Sequence, residues 1–407
     1  MRADRRPNGP PLAYVFERFP SFSQTFCFRE VAALRRAGWA MPVFVLRAPE
    51  NEPPQEFPEN VLTDRILVPR DVRAELTGGS LIERGRRHWL LKRRRLDLIP
   101  DKRRVFEALW IGPQLRARGI RHVHCHFAGM AARTACWIKR LYGVRFSFTA
   151  HANDIFLGAE ENTELPLEVL MREADAVVTV SDYSVRILQE RFPACSGKVR
   201  RVYNGLDFSV FDPDETSSPN AVQRLLAVGR YIEKKGFADL VDACARLERG
   251  SIRCRIVGEG PLGGELQKRV SELGLSGSVE IVGPRTESEV RAELRACDVF
   301  VLPCTVDRNG DRDNLPTVIM EAMAARKAVV STPVAGVPEM LENGRTGLLV
   351  PERDPAALAE AIRHLTVNPA VAAAMGREGR LRGERLFSST ATTAALQDMF
   401  LEMPWMN

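Results

Sequence analysis

Short apolar strands alternate with helical stretches twice along this chain, and one aperiodic segment separates the two series. In the first series, strands are expected at Leu12–Phe16, Pro42–Leu46, His122–His126, Arg145–Thr149, Ala176–Val180 and Lys198–Tyr203. Helical patterns run over Gln24–Ala37 (stopped by Gly38), Ala128–Tyr142 and Asp182–Phe192. The polar, proline-containing stretch Asn204–Asn220 has no periodicity and reads as a linker. Strands then resume at Val222–Val228, Ile252–Val257, Val279–Val282, Asp298–Leu302, Ala328–Ser331 and Gly347–Val350. A strand-helix-strand order of this kind specifies a parallel sheet covered on both faces. At 407 residues the chain also exceeds what one core usually organises. The expectation is an α/β protein of two Rossmann-like domains facing across a cleft, with ligands beyond the carboxyl ends of the strands. That architecture narrows function to nucleotide or phosphate chemistry.

Composition excludes several other classes. Hydrophobic residues at 45% and charged residues at 27% fit a globular cytoplasmic protein, and no apolar run is long enough for a membrane-spanning helix. Met1–Pro11 is polar and proline-rich, unlike a signal peptide. The eight cysteines are scattered through mostly apolar segments without a CxxC pair, which reads as reduced core thiols. The net charge of +6 is uneven: Glu83–Arg104 carries ten Lys/Arg against three acids, with Trp89, Leu90, Leu91 and Leu96 interleaved. Segment 84–104 is therefore either a solvated helix face or an amphipathic patch for an anionic membrane. A nucleic-acid surface ranks behind both, since no nucleic-acid-binding motif accompanies the charge.

The densest chemistry lies between Asp298 and Glu342. A strand there runs through a polar loop, Thr305–Asp313, into a helix expected to begin near Asn314. A helix N-terminus suits a pyrophosphate, and Asp313 and Glu321 (two turns in) would flank it, poised for sugar or ribose hydroxyls. Helix capping by Asp313 or Asn314 and a solvated Glu321 is the plainer alternative. Upstream, Val228-Gly-Arg230 closes a strand, and Lys235 follows five residues later. Two such cations could neutralise a leaving diphosphate without a metal. Lys234 is expected to be the exposed neighbour. Val257-Gly258-Glu259-Gly-Pro261 is a glycine turn that lets backbone approach a ligand. In the first half, His122, His124 and His126 alternate and would share one face of a strand. Three such imidazoles could bind zinc, but one functional residue at the strand end, His126, is the preferred reading.

Segments Val228–Phe237, Val257–Pro261 and Asp311–Val350 resemble the donor domain of retaining glycosyltransferases of family four, which have the GT-B fold. The family's Glu, seven residues, Glu and Ala-Met-Ala pattern is matched by Asp313 to Glu321 and Ala322-Met323-Ala324, with Asp standing where the family has Glu. Pro333–Glu339 and Asn343–Pro351 also match. The resemblance implies that Arg230 and Lys235 hold the diphosphate and that Gly258 and Glu259 border the nucleotide base. It implies further that Asp313, Asn314, Leu315, Pro316, Thr317 and Glu321 hold the donor. Asp311-Arg-Asp313 then belongs to a sugar-binding loop, not a metal site. Phe148-Thr-Ala-His151-Ala-Asn-Asp154 resembles the family's histidine motif, which places His151 beside the donor sugar, with Asp154 capping a turn or orienting it. Phe19–Phe26, containing Ser23, Gln24 and Thr25, resembles the acceptor loop of the exopolysaccharide and colanic-acid subgroup, with Gln24 where Glu is usual.

The resemblance implies an acceptor-binding domain over residues 1–205, completed by a returning helix at about 386–407, and a nucleotide-sugar domain over 206–385. It implies a retaining, metal-independent enzyme without a cofactor, acting by same-face substitution on a UDP- or GDP-sugar. The acceptor would be a glycan, a lipid-linked glycan or a small molecule, in the cytoplasm or at the inner face of the membrane. Three rivals share the fold: a sugar phosphorylase, a non-hydrolysing epimerase, and a non-catalytic nucleotide-sugar-binding protein.

Overall fold

The computed structural model describes residues 11–22, 24–50, 55–77, 101–157, 165–211 and 223–403. Two wholly parallel sheets carry the fold. The first has seven strands in the order β3-β2-β1-β4-β5-β6-β7. They are β1 (Leu12–Phe16), β2 (Val43–Val45), β3 (Arg65–Leu67), β4 (His122–His126), β5 (Arg145–Ala150), β6 (Ala176–Thr179) and β7 (Val199–Arg201). The second has six, ordered β10-β9-β8-β11-β12-β13. These are β8 (Gln223–Val228), β9 (Ile252–Val257), β10 (Val279–Val282), β11 (Val299–Leu302), β12 (Ala328–Ser331) and β13 (Leu348–Leu349). In each sheet the strand order reverses once, beside β1 and β4 in the first and beside β8 and β11 in the second. Those reversals open crevices at the carboxyl ends of the strands, where open α/β sheets bind ligands.

Sheet edges differ most from expectation. β3 has no apolar run to announce it, because an edge strand needs only one covered face and Arg65 and Leu67 are exposed. The linker reading of 204–220 is corrected at its start: Leu206, Phe208 and Phe211 are buried in the second domain's core. Leu206 also bridges Ser388 in parallel, with Leu206 N–H donating to the Phe387 carbonyl at 2.8 Å. The chain thus crosses between the domains twice at one place. After the second crossing, helix Ser389–Leu401 lays Leu396, Met399 and Phe400 against Leu12, Tyr14, Leu34 and Trp39 of the first domain.

Of segment 84–104, residues 84–100 lie outside the described residues, as does Ser23. Arg104 does not belong to a surface patch. It is buried and paired with Glu107 at 2.9 Å and Asp101 at 3.5 Å inside the first domain. All eight cysteines are buried and free. Among the described residues, no helix is long and apolar enough to cross a membrane.

Candidate active site

The second domain builds its wall from four strand ends. The loops after β8 and β9 meet at glycine: Gly258 has φ +152°, and a Cβ there would come within 1.9 Å of the Gly229 carbonyl oxygen. Arg230, next in line, is exposed at the cleft. Gly236 has φ +66° and sits against the Pro303 carbonyl, where a Cβ would approach to 1.8 Å. This contact seats the short helical turn Glu233–Lys235 over the loop that follows β11.

On that turn the expectation for Lys234 is overturned. Lys234 is buried, 2% exposed, with its ammonium on Asp311 at 2.7 Å. Its carbonyl also accepts from Thr305 N–H, so the turn is fastened from two sides. Lys235 lines the cleft and pairs with Asp313 Oδ2, while Lys234 stands 3.8 Å from Asp313 Oδ1. Burial raises the pKa of Asp313, but Lys235 and then Lys234 outweigh it and hold the carboxyl below its ordinary value.

The helix also starts later than expected, at Thr317, with Pro316 as its N-cap. Glu321 is therefore its fifth residue, just over one turn in. It is buried rather than solvated. Its carboxylate receives the Arg29 guanidinium at 2.9 Å, and Arg29 reaches Glu287 at 3.3 Å. Burial raises the pKa of Glu321 despite Arg29. Asn314 Oδ1 accepts from Ser181 Oγ at 2.5 Å and Ser184 Oγ at 2.7 Å, two hydroxyls of the first domain. The loop before the helix is thus pinned across the cleft, with Leu315, Pro316 and Thr317 left along the lining.

The first domain contributes His151, immediately after β5, wedged between the rings of Phe127 at 4.5 Å and Phe26 at 4.7 Å. Asp154 does not line the cleft. Its carboxylate is buried and accepts the His151 backbone N–H at 2.8 Å, which makes it the residue that fixes the turn. His126 is also withdrawn from the cleft. Its Nδ1 stands 3.1 Å from His151 Nε2, and its Nε2 stands 3.1 Å from Glu30 Oε1. Gln24 and Thr25 line the cleft at the start of helix Thr25–Arg36.

His122 and His124 are buried in the first domain. Ser147 Oγ lies 2.7 Å from a nitrogen of each, and Thr149 Oγ1 lies 3.0 Å from His124 Nε2. Glu30, His124 and His126 bring potential metal-ligand atoms within 4.8 Å of one another. Each of those imidazole nitrogens already faces a hydroxyl, a carboxylate or a second imidazole, so hydrogen bonding accounts for the cluster.

Together the walls enclose a cleft of about 680 Å³. It joins Arg230, Lys235, Gly258, Glu259, Asp313 and Glu321 from one domain with Gln24, Thr25 and His151 from the other. Sequence reasoning missed Arg29, Glu30, Phe127 and Arg285, and it gave Phe26 only as the end of the Phe19–Phe26 motif. For Arg29 a signal existed: it lies four residues after Thr25 and so on the same helical face. Arg285 follows β10 in a loop with no recognisable pattern.

Comparison with known proteins bears on the family and the fold. The family model for glycosyltransferase family 4 matches residues 23–210, and the model for glycosyl transferases of group 1 matches residues 222–368. A colanic acid biosynthesis glycosyltransferase of Escherichia coli is 33% identical over 58% of this chain and 59% of its own length. The chain thus spans about three-fifths of that relative. The alpha-maltose-1-phosphate synthase of Mycolicibacterium smegmatis is 31% identical over 66% of this chain and 74% of its own. Among solved structures, Anabaena HepE in complex with UDP superposes with a TM-score of 0.71 at 15% identity, covering 96% of this chain and 99% of that one. Sucrose-phosphate synthase of Thermosynechococcus elongatus gives 0.71 at 21% identity, covering 98% and 100%. At such identities the structures speak for the fold, which is GT-B.

Proposed function

The chain belongs to glycosyltransferase family 4, and on that premise we propose that it moves a sugar from a UDP- or GDP-linked donor to a glycan or lipid-linked acceptor. The product would be a bacterial exopolysaccharide or related glycoconjugate. The observation that carries this reading is the convergence of Arg230, Lys235, Asp313 and the Thr317 helix start on one cleft wall, opposite His151.

In this reading the donor diphosphate lies against Arg230, Lys235 and the first N–H groups of helix Thr317–Ala324, which stabilise the negative charge that develops as it leaves. Asp313 takes a sugar hydroxyl, and Glu321 takes the ribose. Gly258 and Glu259 border the base, and Gln24 and Thr25 stand on the acceptor side. The anomeric configuration is retained by same-face substitution, without a divalent metal or a cofactor. Both motif carboxylates are engaged by cations, Asp313 by Lys235 and Glu321 by Arg29, which favours this path over a carboxylate nucleophile.

The enzyme would work in the cytoplasm, at the inner membrane face when the acceptor is lipid-linked. The basic segment 84–103 would then meet anionic lipid, and its binding to anionic vesicles should weaken as added salt shortens the Debye length. Equal binding to neutral vesicles would return that segment to a solvated face.

The deciding experiment is thermal denaturation with a panel of nucleotides and nucleotide sugars, followed by transfer with the ligand that stabilises. A donor at a hundred times its dissociation constant should add about 2.7 kcal/mol. Dependence on inorganic phosphate with no response to nucleotide sugars would indicate a phosphorylase. Conversion of the sugar with no acceptor present would indicate an epimerase. Stabilisation with no turnover would indicate a binding protein.

A further inference from the structure

We propose that Glu30 and His126 are positioning residues for His151, fixing which ring nitrogen it offers to the donor sugar and in which hydrogen-bonding sense. The inference rests on the placement of His151 beside that sugar. Three separate segments supply the file: Glu30 from helix Thr25–Arg36, His126 from the end of β4, and His151 from the turn after β5. Glu30 Oε1 lies 3.1 Å from His126 Nε2, and His126 Nδ1 lies 3.1 Å from His151 Nε2. Tyr14 donates its hydroxyl to the same Glu30 oxygen at 2.6 Å and so holds the far end.

The rings have little freedom to leave this alignment. His126 is stacked on Phe16 at 5.5 Å and on His151 at 5.3 Å. Phe26 and Phe127 confine His151.

Hydrogen-bond polarity then follows from one proton. Glu30 accepts from His126 Nε2–H. While His126 carries a second proton on Nδ1, that proton is donated to His151 Nε2. His151 is then the Nδ1–H tautomer, and its only remaining ring nitrogen is a donor, suited to a hydroxyl oxygen of the sugar. If His126 loses that proton, the file reverses: His151 Nε2–H donates inward, and Nδ1 becomes an acceptor. No group is gained or lost in the cleft, yet a donor becomes an acceptor.

The groups around the file are Tyr14 on β1, Cys27 and Glu30 on the helix, His124 on β4, and Asp154 beyond His151. Arg230, Lys234, Lys235 and Asp313 stand on the opposite wall. Burial opposes charge on His126, but Cys27 and Glu30 outweigh it and push its pKa up to about 10. Burial first, and His126 second, hold His151 well below the usual imidazole range, which keeps it neutral.

The test uses the full chain with ¹⁵N-labelled histidine. His151 in the wild type should remain one Nδ1–H tautomer from about pH 6 to pH 9. Glu30→Gln removes the carboxylate while Cys27 remains, so the His126 ionisation should fall from about 10 toward the ordinary imidazole value, and His151 should switch tautomer within the range. In transfer assays this variant should lose about tenfold in kcat above the new ionisation, the scale of one hydrogen bond of altered sense, with donor KM changed less than about twofold. Glu30→Asp, which keeps the charge, should fall between the two and carries the test if Glu30→Gln does not fold. A wild-type tautomer and a flat pH profile in Glu30→Gln would overturn the proposal, as would a pH-independent loss of kcat with the tautomer unchanged. The spectra are read on free protein, so they stand even if the proposed transfer reaction fails.

Discussion

The two walls of the cleft handle charge in opposite ways. On the second-domain wall, charges face the cleft and are matched nearby: Lys235 with Asp313, Lys234 with Asp311, and Glu321 with Arg29 reaching across. On the first-domain wall, the surface offered is a neutral imidazole between two phenyl rings, and behind it buried His126 pairs with the part-buried Glu30. A wall of the first kind can stabilise a diphosphate directly, because its cations already face the cleft before the donor arrives. A wall of the second kind can only orient. Substitutions on the two should therefore fail differently: large losses of turnover on the charged wall, and changes of hydrogen-bond sense on the neutral one.

The largest separation is expected between two adjacent lysines. Lys235→Ala removes a cation from the developing diphosphate charge and should lower kcat by about a hundredfold or more, while thermal denaturation changes little. Lys234→Ala instead leaves Asp311 buried without its partner, and breaking such a pair costs about 3–5 kcal/mol of stability. Steady-state kinetics and denaturation on the two variants should give opposite patterns. A Lys235→Ala enzyme within about threefold of wild type would remove the diphosphate role from this wall.

Next in size is Asp313, where this chain carries a shorter acid than its family. The carboxylate does not hang short of its surroundings. Lys235 and Lys234 close on it, and Cys304 Sγ lies 3.6 Å away. The following residue, Asn314, is held by Ser181 and Ser184. Such a loop is built for Asp, so Asp313→Ala should cut kcat/KM by roughly ten- to a hundredfold, since a site made to bond a hydroxyl loses heavily with its partner. Asp313→Glu should stay within about fivefold, its extra methylene being absorbed at the cost of the lysine pair. An inert wild type that gains transfer as Asp313→Glu would identify a decayed enzyme. Wild-type behaviour of Asp313→Ala would reduce Asp313 to a counter-ion for Lys235.

The same contrast explains what could be read from the sequence. The charged wall is written in contiguous stretches, Val228–Gly236, Val257–Pro261 and Asp311–Glu321, so local pattern reports it. The parallel strands were legible for a similar reason: buried on both faces, they form continuous apolar runs. The file behind His151 joins residues 30, 126 and 151, and no local pattern reports a hydrogen bond between residues 96 positions apart. Adjacent lysines such as Lys234 and Lys235 look alike in the sequence until the turn Glu233–Lys235 fixes which one points inward. Where the domains touch, Arg29 on Glu321 and Asn314 on Ser181 are products of assembly, and neither segment alone announces them.

The smallest expected effect is the response to metal removal, which bears on whether the charged wall is complete in protein groups alone. A divalent cation assisting a diphosphate needs free carboxylates on the site. Beside the diphosphate cations, Asp313 on the cleft is occupied by the Lys235 ammonium, Asp311 behind it by Lys234, and Glu321 further along by Arg29. Binding a cation between Asp311 and Asp313 would first separate the buried Lys234–Asp311 pair and the part-buried Lys235–Asp313 pair, and would bring a like charge beside Lys234 and Lys235. Those lysines, together with the exposed Arg230, already provide the positive charge that such a metal would supply. Transfer rates measured in excess EDTA and in added magnesium or manganese should therefore agree within about twofold, far below the loss expected for a missing charge-stabilising group. Abolition by EDTA with recovery on adding a divalent cation would mean that Lys235 leaves Asp313 when the donor binds and that the acid takes metal in its place. In that case Asp313→Asn should abolish the recovery while Lys235→Ala preserves it, and the pairing in the free protein would be a resting arrangement of a metal-dependent wall.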